Sequence, residues 1–567
     1  MTNVSEKNSP ADDMWWQFFR LAAIQKRIHE KTYAKFAVVG DEQLIYLTRQ
    51  ILPDSDTKHF SRVIRKEKFN WNRVLATRAI GLFFYLAAIL IAKWHMRDQH
   101  VIGNKSKERP TVAYSWYPRV WTSRFDQWKD MYYGNSLSDL SKKLGEPPVQ
   151  ALRIYDRTKF VNPIVYWNRI RTLIRPESRP DSYTIVESFG SIWSAIGAYL
   201  NIKDIFQYYR MTQHKAFNGA FTWEDLNVAP LFKDRMWRSV LISWPHLAVL
   251  AGSSNNLART LKPNLLILYC FEFIYGRAII TGSRQGHPGT AIIGVQHGPI
   301  SPMKLLYAGT PDDRPIATQI SKPLPEPDIY VVDGKLASRI LQKSGVSSSA
   351  VKTPGAARLD DVWSQGKPLP NPKDRQPHGL VRVLIAPGLH DTAYVTRMTL
   401  DALGSDTNLE LVLKPHPKIP IKTLYNMVDS RGLKENRGAL ITLAPEGNIY
   451  EWMAKSDIFL ATYSSTAIEA LAFYLPVILL IPNHMPDMSL FHGSSVEVMK
   501  ATRSKELRNH VTLLSNDRDF AQRYVAGISY LLEESFGSTD GAASDRLADI
   551  FAQLSQSNRE SKPSAKP

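Results

Sequence analysis

Between Asp457 and Pro482 the chain reads DIFLATYSSTAIEALAFYLPVILLIP. An apolar run ends at Tyr463, a small hydroxyl turn of Ser464, Ser465 and Thr466 follows, and a short amphipathic segment carrying Glu469 leads to a second apolar run from Pro476. Two short, near-continuous apolar runs around one such segment restrict the backbone to strand, turn, helix and parallel strand. The turn sets backbone N–H groups and hydroxyls at a helix N-terminus, where partial positive charge and unmet donors favour a phosphate. Glu469 falls about one turn further on, near the same mouth. An ordinary βαβ unit with a Ser/Thr cap has the same local pattern, so the rest of the chain has to decide between them.

The alternation fills most of the sequence. TVAYSWYP (Thr111 to Pro118), PVQALRIY, SYTIVES, LKPNLLILYCFEF and GTAIIGVQHG are strand-like, with helical segments between them. They predict a first doubly wound α/β domain over 109–322. After the Pro-rich SKPLPEPD, the stretches DIYVVDG, SSAVKTPGAARLD, VRVLIAPGLHD, ELVLKPHP, GALITLAP, DIFLATYSS and PVILLIP predict a second over 323–500. Residues 1–108 read as a helical extension, 501–555 as further helices and 556–567 as a polar, frayed tail. Two such domains in tandem carry their strand ends across a shared cleft, so the loops after the strands are where ligands are expected.

Composition narrows the partners. A chain of 567 residues is too long for one core. The single cysteine, Cys270, excludes an internal disulfide framework, and no Cys/His cluster has zinc spacing. The net charge of +18 calls for an anionic partner. Residues 1–110 hold 19 Lys and Arg against 11 Asp and Glu, interleaved with Trp and Phe and without a nucleic-acid-binding signature. An anionic membrane surface, not nucleic acid, is therefore the expected partner. Ala79 to Ala92 (AIGLFFYLAAILIA) is 14 residues long, short of the roughly 20 a membrane span needs. It suits an interfacial helix first, with Arg73, Arg78, Lys93, Trp94 and Arg97 at headgroup level, a buried core helix next and a true span last. Acidic and polar residues precede any apolar run, so no secretory signal is expected.

Several strand ends carry chemistry. ELVLKPHP delivers Lys414 and His416, a cation beside an imidazole, as a diphosphate or nucleotide phosphate requires. IIGVQHGPIS ends in Gln296, His297 and Gly298, and His297 titrates near neutrality, which suits deprotonating a hydroxyl. Glu187 and Glu272 each emerge from an apolar strand, where partial desolvation would strengthen a carboxylate as a base. Either can instead cap a helix or pair with Arg277. APGLHD places Gly388, His390 and Asp391 after a strand, and GAARLDD does the same for Arg358 and Asp360. Tyr114 to Tyr117 form either an aromatic sugar platform or core.

KPHP followed by SST-x-x-E resembles the paired HP and S/T motifs of bacterial surface-polysaccharide glycosyltransferases of the GT-B fold, among them polysialyltransferases and capsular Kdo transferases. The stretch between them resembles the donor region of that fold, except that FYLP lacks the Gly that often precedes the Pro. The resemblance implies a donor-binding second domain and an acceptor-binding first. It implies Lys414 and His416 on donor phosphate, Ser464, Ser465 and Thr466 on phosphate or ribose, and Glu469 on a donor hydroxyl; the strand-end position of Gly388 and His390 puts them at the lip of that donor site. His297, Glu187 and Glu272 compete as catalytic base. The expectation is a metal-independent, inverting glycosyltransferase with a nucleotide-sugar co-substrate, CMP-linked by first preference, and no cofactor. A glycan or glycolipid would be the acceptor, at the inner face of the cytoplasmic membrane. A teichoic-acid-like CDP-polyol phosphotransferase, a nucleotide-sugar 2-epimerase and a membrane scaffold are the alternatives.

Overall fold

The structure is a computed structural model, without ligands. It describes residues 71–97, 109–118, 120–122, 128–154, 162–175, 179–219, 222–223, 226–227, 229, 239–298, 300, 307, 325–363, 379–388, 391–415, 419, 421–429, 438–444, 449–481, 491 and 497–560. Two compact units divide the chain. Described residues of Met1–Val295, Ala317–Tyr330 and Ala548–Pro567 form the first, those of Gln296–Ile316 and Val331–Leu547 the second.

In the first unit, strands β1 (Thr111–Trp116), β2 (Val149–Arg153), β3 (Tyr183–Ile185), β4 (Leu265–Tyr269), β5 (Ala291–Val295) and β6 (Ile329–Val331) stand in the order β3-β2-β1-β4-β5-β6. The neighbours from β3 through to β5 pair in parallel. β1 and β4 are buried at every residue, the pattern of strands covered on both faces. In the second unit β7 (Val381–Ala386), β8 (Leu409–Leu413), β9 (Leu440–Leu443), β10 (Ile458–Ala461), β11 (Val477–Leu480) and β12 (Lys500–Ala501) form an all-parallel sheet in the order β9-β8-β7-β10-β11-β12. Numbered from its own first strand, the second sheet reads 3-2-1-4-5-6, the order of a Rossmann-like doubly wound sheet, and the first reads the same with a seventh, two-residue strand, Val351–Lys352, added beyond β6. The two α/β domains expected from the sequence are present. DIYVVDG and SSAVKTPGAARLD, expected to open the second sheet, instead supply β6 beside β5 and the two-residue strand Val351–Lys352 beside β6, because an apolar pattern marks a strand without naming its neighbour.

The helices that matter below are α1 (Trp71–Met96), α2 (Pro163–Thr172), α3 (Ile192–Leu200), α4 (Ile202–Gln213), α5 (Trp244–Leu261) and α6 (Ile274–Gly286) in the first unit, with α7 (Thr392–Leu403) and α8 (Thr466–Glu469) in the second. A last helix, α9 (Ala543–Glu560), belongs to the first unit from Ala548 on. Gly282 and Gly286, one turn apart on α6, let it meet α5 backbone to backbone. A Cβ there would lie 2.0 Å from Ala251 O and 2.2 Å from Asn255 O.

α1 runs past both charges that bracket its apolar centre. Leu75–Met96 is 22 residues and, by length and composition, long and apolar enough to cross a membrane. One face is nonetheless packed into the unit, with Tyr85, Ala88, Ile89 and Ala92 buried. Arg78, expected at headgroup level, is buried too: its guanidinium donates to Tyr199 O (Nε, 3.0 Å) and Leu241 O (Nη1, 3.1 Å). Tyr199 sits in the last turn of α3, where unpaired carbonyls attract a cation. The described part of the expected helical extension is this one helix; residues 1–70 and 98–108 lie outside the described residues.

Candidate functional site

In a 3-2-1-4-5-6 sheet the first and fourth strands lead their connections to opposite faces, and the crevice between their C-terminal ends is where ligands bind. In the second unit these strands are β7 and β10. After β7 come Pro387 and Gly388, both buried, then Asp391 at the start of α7. After β10 come Thr462, Tyr463 and the Ser464-Ser465-Thr466 turn. Thr462 Oγ1 donates to Asp391 Oδ2, tying the two exits together. Thr392 Oγ1 closes the first loop onto Gly388 O at 2.6 Å. A Cβ on Gly388 would meet the two Asp391 carboxylate oxygens at 3.0 and 3.2 Å and Tyr463 OH at 3.3 Å, so glycine leaves the room that Asp391 occupies. Lys414, just past β8, anchors its backbone N–H on Ile385 O at 2.9 Å, one strand from Gly388.

The turn itself is tighter than expected. Ser464 Oγ accepts from Thr466 Oγ1 at 2.8 Å and from Thr466 N at 3.3 Å, while Ser465 makes no side-chain cap. α8 is four residues long and runs into a 3-10 turn, Ala470–Phe473, closed by Tyr474 at φ 54°. That left-handed conformation favours glycine, the residue missing from FYLP, and Tyr474 occupies it at a cost of about 1 kcal/mol.

Behind the turn lies a buried ionic cluster that sequence reasoning saw only in part. Glu469 is 8% exposed, and its Oε2 accepts from Tyr450 OH at 2.9 Å. Arg358 Nη1 donates to Asp333 Oδ2 at 2.5 Å, its guanidinium carbon lies 5.4 Å from the Phe536 ring centre, and its buried Nη2 has no hydrogen-bond partner among the described residues. Burial pushes the Asp333 carboxyl up to about 6; Arg358 pulls the other way and Glu469 adds to the rise. Burial acts to lower Arg358, but Asp333 and Glu469 outweigh it and hold the guanidinium above its usual value. The cluster extends to the His297 turn. Gln296 Oε1 accepts from Asp333 N at 2.9 Å, and Gln296 Nε2 donates to Gly298 O at 2.9 Å. Asp333 and Gln296 each end a strand, a signal visible in the sequence; their pairing across 37 residues is not.

The first unit has its own switch point, between β1 and β4. Ser115 Oγ and Tyr269 OH, near the two strand ends, both donate to Asp130 Oδ2, at 2.5 and 2.8 Å, and Tyr132 N donates to Oδ1. Burial pushes Asp130 up to about 6 despite these donors. The same burial raises Tyr269 and Tyr133 well above the usual phenol range. Tyr114, Trp116 and Tyr117 are fully buried, so the aromatic stretch is core and not a sugar platform. Glu272 follows β4 at this switch point and is buried. Glu187 follows β3, away from it, and takes hydrogen bonds from Tyr166 OH (3.3 Å) and Ile154 N (3.4 Å). Arg277 has Glu326 at 3.8 Å.

The structure thus gathers Gly388, Ser464 and Thr466 at one crevice, with Glu469 behind it and His297 on the loop that Gln296 ties to Asp333. His390 and His416 lie outside the described residues. Among the described residues, no group of three or more His, Cys, Asp or Glu could hold a metal ion.

No protein-family model matches the chain, and no curated protein matches it in sequence. Among solved structures it is similar to HepE from Anabaena in complex with UDP and glucose, at 13% identity, over 79% of this chain and all of that one, with a TM-score of 0.42. It is similar to UDP-GlcNAc 2-epimerase from Neisseria meningitidis bound to UDP-GlcNAc, at 11% identity over 78% and 99% of the chains, TM-score 0.42. The wall teichoic acid polymerase TagF aligns at 12% identity over 86% and 99%, TM-score 0.39. Likeness at this level transfers no activity, ligand or residue role.

Proposed function

We propose that the chain is a glycosyltransferase. It takes a sugar from a nucleotide-activated donor, CMP-linked by first preference, and passes it to a glycan or glycolipid acceptor of a bacterial surface polysaccharide at the inner face of the cytoplasmic membrane. The observation that carries the reading is the 3-2-1-4-5-6 order of the second sheet, whose switch point collects Gly388, Asp391, Thr462 and the Ser464–Thr466 turn. The KPHP and SST-x-x-E resemblance supplies the ligand class. In this reading Lys414, His416 and the turn meet the charge of the leaving nucleotide, as preorganised donors do. Glu469, steadied by Tyr450, holds a donor hydroxyl.

His297 is the preferred base because its loop shares the Gln296–Asp333–Arg358 network with Glu469. Glu272 stands second, at the other switch point, and Glu187 third, already engaged by Tyr166 and Ile154. The test is calorimetry with CMP, CDP, UDP and GDP, followed by product analysis with the matching donors. One nucleotide should bind, Ser465→Ala and Glu469→Gln should weaken it, and His297→Ala should abolish transfer while leaving nucleotide affinity intact. A phosphodiester product would identify a CDP-polyol transferase, and conversion of the donor without acceptor an epimerase. No binding of any of the four would end the donor-site reading.

A further inference from the structure

Fourteen of the 19 exposed large hydrophobic residues among those described lie between Leu75 and Trp244, on a connected group of helices in the first unit; the five in the second unit stand singly on separate elements. Scattered apolar residues are ordinary on any surface, whereas a concentration of them marks a docking face.

The outer face of α1 is as apolar as its buried face. Phe83, Leu90 and Trp94 recur at the spacing of one helical stripe, opposite Tyr85, Ala88, Ile89 and Ala92, and each is more than half exposed. A helix that only filled a core would turn a polar face outward. The neighbours continue the stripe. Trp94 packs on Trp167 of α2 at 5.3 Å, and Ile164 on α2 and Ile174 just past its end are exposed. Arg78 ties α1 to the end of α3, which exposes Trp193 (80%) and Leu200. On α4, Ile202, Phe206 and Tyr209 share one exposed stripe, and Trp244 Nε1 fixes α5 to this helix through Asp204.

Charge selects the partner. The three stretches 71–97, 162–175 and 192–213 hold nine Lys and Arg and a single acid, Asp204, which Trp244 and Asn201 already engage. Lys93, Arg97, Arg171, Arg175, Lys203 and Arg210 are exposed around the apolar stripes.

We infer that this face is a monotopic docking surface for an anionic lipid leaflet. Trp94, Trp193 and Phe206 enter the headgroup layer, and the Lys and Arg residues around them meet lipid phosphates. α1 lies along the membrane as one member of the face and does not span it, since the face that carries Tyr85, Ala88, Ile89 and Ala92 is committed to protein. The inference rests on the reading of a membrane-side enzyme and adds the surface that does the docking.

The test is co-sedimentation of the full chain with vesicles of phosphatidylcholine alone or mixed with phosphatidylglycerol, with light scattering of the free protein. Wild type should pellet with the mixed vesicles. Trp193→Glu/Phe206→Glu should weaken partition about tenfold or more, and Arg171→Glu/Arg175→Glu should weaken it on mixed vesicles only. The substituted positions are exposed, and an unchanged circular dichroism spectrum shows that the fold holds. Partition unaltered by Trp193→Glu/Phe206→Glu, or a wild type that ignores both vesicles, overturns the proposal. So does a dimer that these substitutions convert to monomer, which would make a second copy the occupant. Nucleotide affinity measured on the same variants keeps the two readings apart, because the four substituted residues belong to the first unit and the proposed nucleotide site to the second.

Discussion

Asp130 gives the most quantitative handle on this chain, because it is buried, carries no cationic partner among its named neighbours, and sits behind the first switch point. Its pKa rises from 3.8 to about 6 on burial, outweighing hydrogen bonds from Ser115, Tyr132 and Tyr269. Two units at 1.36 kcal/mol each make about 3 kcal/mol. An acid with the higher pKa in the folded chain takes its proton on the folded side first. Its contribution to stability is therefore complete below the unfolded value and is lost as pH rises through about 6. Asp130→Asn keeps the shape and removes the titration. The variant should match wild type near pH 4 and exceed it by up to about 3 kcal/mol at pH 7 to 8, less about 1 kcal/mol if the amide pairs poorly with the two hydroxyls. Urea unfolding of both proteins at several pH values, followed by tryptophan fluorescence, reads the difference. A wild-type-minus-variant gap that stays constant from pH 4 to 8 refutes the reasoning, since Asp130 would then titrate alike in both states.

Three other perturbations probe the remaining parts. Arg358→Met leaves Asp333 buried without its cation and should cost about 3–5 kcal/mol at pH 8 but less at pH 5, where Asp333 takes a proton; unfolding at the two pH values checks this. Gly282→Val drives a side chain into Ala251 O, 2.0 Å from the Cβ position, and should lower the unfolding midpoint sharply or abolish soluble expression. Gly388→Ala crowds the Asp391 carboxylate by a few tenths of an ångström and should weaken nucleotide binding severalfold in calorimetry with little change in melting temperature.

What the sequence made legible follows from which forces are local. Apolar runs located β7, β8, β10, β11 and the Ser464–Thr466 turn, because a strand buried on both faces has to be apolar throughout, and β9, at the sheet edge without a buried residue, was legible from its β-branched and apolar residues alone. Pairing partners are a long-range matter, so DIYVVDG read as a strand but joined the sheet before it. Arg78 looked like a headgroup contact from its position beside an apolar stretch, and only the end of α3, 121 residues away, shows why it turns inward. Tyr114 to Tyr117 fit a sugar platform and a core equally well until β1 proved to lie in the middle of its sheet. At the candidate site, Arg358 stood out as a charge at a strand end and Glu469 as one about a turn beyond the Ser464–Thr466 turn. Asp333 and Tyr450 did not, and Gln296 was visible only as the end of a strand, because an acid, an amide or a phenol gains meaning only from the tertiary partner that meets it.

The end of α9 bears on how the chain is made. Asn264, fully buried beside β4, donates through Nδ2 to Ser555 O at 3.1 Å and Ser555 Oγ at 2.7 Å, across 291 residues. Ser555 Oγ also meets Thr111 Oγ1 at 3.1 Å, and Asn558 Nδ2 donates to Asn264 O. At the usual pace of translation, about 5–20 residues per second, β4 leaves the ribosome roughly 15 to 60 s before α9 can satisfy it. During that interval the second unit is synthesised while the first still lacks its last helix. Until then the buried polar groups at the starts of β1 and β4, Thr111 and Asn264, remain wet. A nascent chain of this design has its longest exposure in the half made first, and chaperone dependence should track substitutions at Asn264 and Ser555 more closely than substitutions anywhere in the second sheet.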